Sequence, residues 1–338
     1  MPVGQDIGTN FLVSARQDAN NQIKVKSIRN CYVEIDNESA IRNMLTMSSV
    51  SFVEENDKIF LIGDTACTIS NIFKRDVNRP MSGGVLSPGE VDAERIIKVL
   101  LSHILDKAVT PGEFCCFSVP GNPVDKEIDI VYHSAMFTKI LGSLGYNACP
   151  LNEASAVVFS NAAKEQFSAI GISAGAGMVN VCLMYKTIPG VSFSIIGSGD
   201  AIDSAAAKAT GTSATRIQAI KEKGVDLMNP TDGDPRTIRE REAIAIYYKA
   251  LILKILGSLK DQFIRNKRAD FELPNAIPII IAGGTAMAKN FLELFKSAFS
   301  TLKDWPIPVS EIRLASNPLE DIAKGCLVYA LNKESQNK

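Results

Sequence analysis

Two stretches some 165 residues apart follow the same pattern. In the first, Val3 to Ile7 reads as a strand, Gly8-Thr9-Asn10 as a tight turn and Phe11 to Arg16 as a second strand; after the polar DANNQ turn, Ile23 to Ile28 reads as a third. In the second, the apolar run opening 171-GISAGAGMVNVCLMY-185 meets Gly175-Ala-Gly177, Met178 to Tyr185 reads as a strand, and Val191 to Ile196 follows a turn at Pro189-Gly190. The repetition points to two related halves rather than a short-period solenoid. It also argues against a dinucleotide-binding loop, which needs a third glycine where Asn180 stands and a helix, not a strand, after the turn.

At 338 residues the chain exceeds the usual domain of ~100–200 residues, so two domains or one bilobal unit is expected. Lys+Arg 36 and Asp+Glu 37 nearly cancel, which argues against a general nucleic-acid or anionic-membrane surface. The seven cysteines are scattered, some inside apolar runs such as 114-FCCF-117, which fits thiols in a reducing, cytoplasmic setting better than a disulfide frame. No pair has C-x-x-C spacing, and with His103 and His133 as the two histidines, a His-rich metal centre or a His-based hydrolase triad is not expected. No leader-like segment and no apolar run near the ~20 residues of a membrane span is present.

Between and after the repeats the period turns helical. Asp92 to Leu105, Val124 to Leu144, Ala154 to Ala163, Asp203 to Lys223, Ile238 to Phe263, Ala286 to Phe299 and about Pro318 to Leu331 are predicted helices, with NKESQNK a frayed tail. Glu113 to Val119 is a short apolar run closed by Pro120-Gly121-Asn122-Pro123, and Pro278 to Ala282 is a predicted buried strand. Strands alternating with helices in both halves give an α/β class with mixed sheets.

Glycines at the turns 6-DIGTN-10 and 173-SAGAG-177 let backbone N–H groups converge on an anion, and two such nests from two halves would grip a polyphosphate from opposite sides. Asp6 would then need a cation beside the phosphates, with Mg²⁺ held through water the natural candidate. Taken alone, DIGT also reads as an ordinary hairpin turn with Asp6 a capping acid. The run 279-IIIAGGT-285, a strand ending in a double glycine, suits close approach of a flat or anionic group.

Taken in order, DIGT, VPGNP, NEASAVVFSNA, ISAGAG, GSGDAID, IKEK, IAGGT and NPLEDIAKG resemble the actin, heat-shock chaperone and sugar-kinase ATPase superfamily over nearly the whole chain. The stretches 79-RPMSGGVLSPGEVDAERII-97, 119-VPGNPVDKE-127, NEASA and 199-GDAIDSAAAKATGTSATRIQAIKEK-223 look most like the bacterial actin MreB and its relatives. The resemblance implies an actin-like fold: two similar lobes, each a mixed sheet flanked by helices, with a nucleotide cleft between them. Residues 1–150 plus 317–338 would form the first lobe, with a subdomain at about 29–78, and 151–316 the second, with a subdomain at about 200–268.

It further implies ATP or ADP with Mg²⁺ as ligands. Asp6, Gly8, Thr9 and Asn10 would form the first phosphate loop, with Asp6 near the metal; Ser173, Gly175 and Gly177 the second; Gly199, Lys221 and Glu222 the adenosine edge, with Glu222 at the ribose; Gly283, Gly284 and Thr285 the adenosine motif. Glu153 would orient the attacking water, its alternative being an ordinary N-terminal helix acid. Ala154, Ala156, Ala323 and Gly325 would let two hinge helices cross closely. One departure matters: the family's second-loop aspartate is Ser173 here, which adds no charge near the metal, so hydrolysis is expected to be slow; in addition, the family's Thr or Val after the last loop glycine is Met178, and the acid common in MreB two positions later is Asn180.

The resemblance implies a cytoskeletal subunit that polymerises with itself, with copolymerisation with another actin homologue an open possibility. Its alternatives are an actin-fold scaffold or chaperone-like ATPase, or a small-molecule kinase. Five residues precede Asp6, so an N-terminal amphipathic anchor is not expected, and a chaperone's added peptide domain is not expected after the last helix.

Overall fold

The computed structural model describes the chain except residues 49, 51, 56, 74, 88–91, 129, 267–272, 274 and 337–338. Residues 88–91 of the MreB-like stretch, 267–268 of the second subdomain and the last two of the tail therefore lie outside the described residues.

The chain opens with β1 (Val3–Ile7), β2 (Phe11–Gln17) and β3 (Ile23–Arg29). A small unit follows, formed by β4 (Tyr32–Asp36), α1 (Ser39–Met47), β5 (Phe52–Glu55), β6 (Lys58–Ile62) and α2 (Gly63–Phe73). Next come β7 (Met81–Ser82), β8 (Val85–Leu86), α3 (Ala93–Ile104), β9 (Glu113–Val119), α4 (Ile130–Ser143), β10 (Tyr146–Asn152) and α5 (Glu153–Asn161). The second half contains β11 (Ala169–Ala174), β12 (Met178–Tyr185), β13 (Ile188–Ile196), α6 (Gly199–Thr210), α7 (Ala214–Glu222), α8 (Ile238–Arg265), β14 (Ile277–Ala282), α9 (Phe291–Ser300), β15 (Val309–Leu314) and α10 (Asp321–Gln336).

Two five-stranded sheets result, ordered β10-β9-β1-β2-β3 and β13-β12-β11-β14-β15. Each has the same wiring: three antiparallel strands from the glycine hairpin and its follower, then two parallel strands added beside the first. The duplication suggested by the hairpins is thus a duplication of whole sheets. The central strands β1, β11 and β14 are buried along their full length, as parallel-sheet positions covered on both faces require. Edge strand β3 is largely exposed and carries Lys24, Lys26 and Arg29, which discourages further pairing.

Helices α5 and α10 pack between the sheets, and their crossing is close. A Cβ on Gly325 would run into the Ala156 carbonyl oxygen, and one on Gly4 of β1 into Ala323 of α10. Ala154, Ala156 and Ala323 are fully buried at the same crossing. Among the described residues no helix is long and apolar enough to cross a membrane.

Several predicted boundaries move, each for a local reason. The helix expected from Val124 starts at Ile130, because 123–125 pairs elsewhere: Val124 N donates to Ser194 O and Asp125 accepts from Ile196 N. The Asp203–Lys223 helix is two helices, broken where Gly211 takes φ 71° and Ser213 caps α7 by accepting from Arg216 N. The Ala286–Phe299 helix begins only at Phe291, since a 3₁₀ turn spans Gly284–Met287 and Asn290 is left-handed at φ 64°. The tail expected to fray continues α10 to Gln336.

Candidate functional site

Every site residue picked out in the sequence lines one cavity of about 540 Å³ between the two sheets. Asp6 to Asn10 and Ser173 to Gly177 reach it from the two hairpin turns, Gly199 and the Lys221-Glu222 pair from α6 and α7, and Gly283 to Thr285 from the end of β14. The hairpin turns adjoin: a Cβ on Gly177 would strike Gly84 N and Thr9 Oγ1, and Gly84 N donates to Thr9 Oγ1 at 3.1 Å. The Gly83-Gly84 turn between β7 and β8 thus sits against both loops.

The second loop is oriented by its carbonyls. Gly175 O accepts from the Thr285 hydroxyl at 2.7 Å and from Gly199 N at 3.3 Å, Ala176 O from Asp200 N at 2.9 Å, and Gly177 O from Gly197 N at 3.1 Å. In a trans peptide the N–H points opposite to the C=O. Tying these oxygens to the scaffold therefore turns the Ala176 and Gly177 amides the other way, the arrangement an anion nest needs. On the first loop, Asn30 Nδ2 donates to Gly8 O at 2.9 Å.

Two buried acids mark the centre. Asp6 Oδ1 accepts from Ser118 Oγ at 2.7 Å, and Ser118 Oγ accepts from Ile7 N at 2.9 Å. Burial pushes the Asp6 carboxyl up to about 6 against these hydrogen bonds. Glu153, at the start of α5, accepts from Ser173 Oγ at 2.5 Å on Oε1 and from Asn180 Nδ2 at 2.7 Å on Oε2. Burial first, then the charge of Asp6, push it up to about 8, with the Ser173 hydrogen bond opposing.

Ser173 and Asn180 face each other across β11 and β12, and both donate to Glu153. The two departures from the family pattern are therefore one feature. Asn180 also accepts from Gly121 N at 2.8 Å, which ties Glu153 to the VPGNP loop of the other sheet.

At the far end Lys221 Nζ pairs with Asp203 Oδ2 at 2.7 Å and donates to Gly199 O at 3.0 Å, so it braces α6 against α7. Glu222 is paired with Arg29 at 3.1 Å and accepts from Gln218 Nε2 at 2.9 Å. Arg29 is a site residue the sequence reading missed, as are Asp203 and Tyr248 and, behind the cavity wall, Ser118, which donates to Asp6; Asp203 lay inside the quoted GDAIDSA segment, whereas the others carry no local signature. A second cross-cleft pair, Arg79 with Asp200 at 3.0 Å, joins the RPMSGG segment to α6.

A family model described as Volactin matches residues 1–330. Among solved structures the chain is similar to one described as a MamK double helical filament, with TM-score 0.71, 17% identity and 98% of each chain covered. It is similar also to MreB 5 of Spiroplasma citri bound to AMPPNP, with TM-score 0.65, 14% identity, and 99% of this chain and 98% of that one covered. A third is the ethanolamine utilization protein EutJ from Carboxydothermus hydrogenoformans, at TM-score 0.55, 13% identity, and 97% and 89% coverage. At such identities the likeness is one of fold, a two-lobe actin-like fold. A search of curated proteins returns no match.

Proposed function

Because this chain belongs to the Volactin family, we propose that it is an actin-like cytoskeletal subunit that binds ATP with Mg²⁺ between its lobes and assembles with copies of itself. What carries the reading is the meeting of two backbone nests and two buried acids in one cavity of ligand size. The lobes are taken as 1–150 with 317–338, and 151–316, hinged where α5 crosses α10, with subdomains at about 29–78 and 200–268.

The donor set fits a hard cation beside a polyphosphate. Asp6 and Glu153 are both buried and both held above the ordinary carboxylate range, which is the electrostatic condition a divalent ion relieves. When bound, Mg²⁺ supplies positive charge against the phosphate oxygens. The amides of Ala176 and Gly177 bind the phosphates from the second lobe and the 8–10 turn from the first. Glu222 and the 283–285 turn hold the nucleoside end.

On this reading hydrolysis is slow. Ser173 and Asn180 each occupy one acceptor site on an oxygen of Glu153 and fix the orientation of its carboxyl group. Ser173 adds no negative charge to the metal's shell. The MamK neighbour is described as a double helical filament, and the same use of the fold is proposed here.

Sedimentation with ATP, ADP and no nucleotide, followed by negative-stain imaging, tests the proposal. Nucleotide-dependent filaments are expected. Monomers with sugar-dependent ADP release would instead make the chain a kinase, and monomers with slow or no turnover a scaffold.

A further inference from the structure

We propose that Cys31 and Cys67 form a reversible dithiol–disulfide site in the small β4–α2 unit, oxidised by a small-molecule disulfide of the glutathione type. Their Sγ atoms lie 3.4 Å apart, against about 2.05 Å in a disulfide. Cys31 immediately precedes β4 and Cys67 lies in α2, two elements that share the small apolar cluster with Val33, Leu61 and Ala66. The sulfurs thus belong to one packed unit and have little distance to close.

The two thiols are unequal in the way exchange chemistry requires. Cys31 is buried, whereas Cys67 is partly exposed. The hydrogen bond from Cys31 draws the Cys67 thiol down to about 7, and the Arg29 and Arg79 guanidinium groups add to this against the opposing effects of burial and Asp64. The same hydrogen bond and burial push Cys31 far up. Cys67 is therefore the attacking sulfur and Cys31 the resolving one.

In the first step the Cys67 thiolate attacks one sulfur of the small disulfide, forms a mixed disulfide and releases one small thiolate, which takes up a proton. In the second, Cys31 loses its proton and attacks Cys67 Sγ, expelling the other half as a second thiol. One small disulfide is reduced to two thiols and the protein dithiol is oxidised by two electrons. Cys115, Cys116, Cys182 and Cys326 are buried, and burial is the main cause holding each thiol up, so they do not compete. Cys149, partly exposed and lowered by a hydrogen bond from Cys116, is the internal control.

The site stands where a covalent change is felt. Arg29 and Arg79, whose charges reach Cys67, are the two arginines that cross the cleft to Glu222 and Asp200. Arg29 is also anchored at 2.9 Å by Asp64, one turn before Cys67 on α2. Drawing Cys67 onto Cys31 shifts that anchor and removes the thiolate charge, changing how the arginines hold the second lobe. This consequence for nucleotide release rests on the proposed function; the disulfide itself does not.

The test uses the full-length reduced protein in glutathione redox buffers at near-neutral pH, quenched by alkylation and mapped by peptide mass spectrometry. A Cys31–Cys67 cross-link should be the first disulfide to form and should reverse with dithiothreitol. Cys31→Ser should stop at a glutathione adduct on Cys67, and Cys67→Ser should form neither. Modification of Cys149 before Cys67, or a Cys67 adduct in the wild type that never resolves, overturns the site, and wild-type mapping alone decides it if a variant fails to fold. Release of labelled ATP should differ by about fivefold or more between oxidised and reduced forms. Equal rates overturn the coupling, whereas no nucleotide binding in either form overturns the proposed function and leaves the cross-link map to decide the site.

Discussion

Glu153→Gln should remove a pH dependence of stability that the wild type carries. In the folded chain the Glu153 carboxyl is held near 8 against an ordinary 4.5. A raised group contributes its full stabilisation below the unfolded value; as pH climbs, the unfolded chain releases the proton while the folded chain keeps it, and stability falls until the folded group ionises. The window is pH 4.5 to about 8, and at 1.36 kcal/mol per pH unit the loss is about 5 kcal/mol. Asp6, held near 6 against 3.8, has its own window at lower pH, and Cys67, drawn down to about 7, titrates alike in both proteins, so the difference between wild type and variant isolates Glu153.

Glutamine fits the same contacts: its carbonyl can accept from Asn180 Nδ2 while its amide donates to Ser173 Oγ, the hydroxyl simply turning. Urea unfolding of the ligand-free protein in chelator should show the wild type losing about 2 kcal/mol relative to the variant from pH 6 to pH 8. Parallel curves for the two proteins would refute the assignment of Glu153 as a buried, protonated acid.

Asn180→Ala cuts the link from Gly121 to Glu153 and should destabilise the ligand-free protein by about 1–3 kcal/mol in the same unfolding assay. Gly325→Val drives a side chain into the Ala156 carbonyl at the helix crossing and should cost more than about 4 kcal/mol, read as loss of soluble folded protein by circular dichroism. Arg29→Ala removes the cross-cleft pair with Glu222; labelled-nucleotide release should accelerate about fivefold, while the melting free energy changes by no more than about 1 kcal/mol because the pair is partly exposed.

The hairpins were legible because their glycines and alternating strands are local signals, and the residues at their tips are the ones that meet in the cavity. The strands β10 and β15 were not. YNACPLN carries a proline that only an edge position tolerates, and VSEIRL lies on the opposite sheet's edge with no strong burial pattern. Residues 123–125 show why helical period can mislead: their backbone and Asp125 are claimed by β13, a tertiary pairing no local pattern announces. The second-loop serine looked like a lost acid in sequence. In space Ser173 and Asn180 are a matched pair of donors to Glu153, a relation that appears only once β11 and β12 are set in register.

On the proposed reading, a nucleotide with its metal is gripped between the turns at 8–10 and 175–177. Equilibrium binding of fluorescent ATP, with and without Mg²⁺, to the wild type and to Asp6→Ala tests it most directly. Saturable binding strengthened by Mg²⁺ is expected in the wild type, with Asp6→Ala losing the metal's contribution and retaining the weaker metal-free binding. No binding by the wild type, or an equal loss with and without Mg²⁺ in the variant, would contradict it.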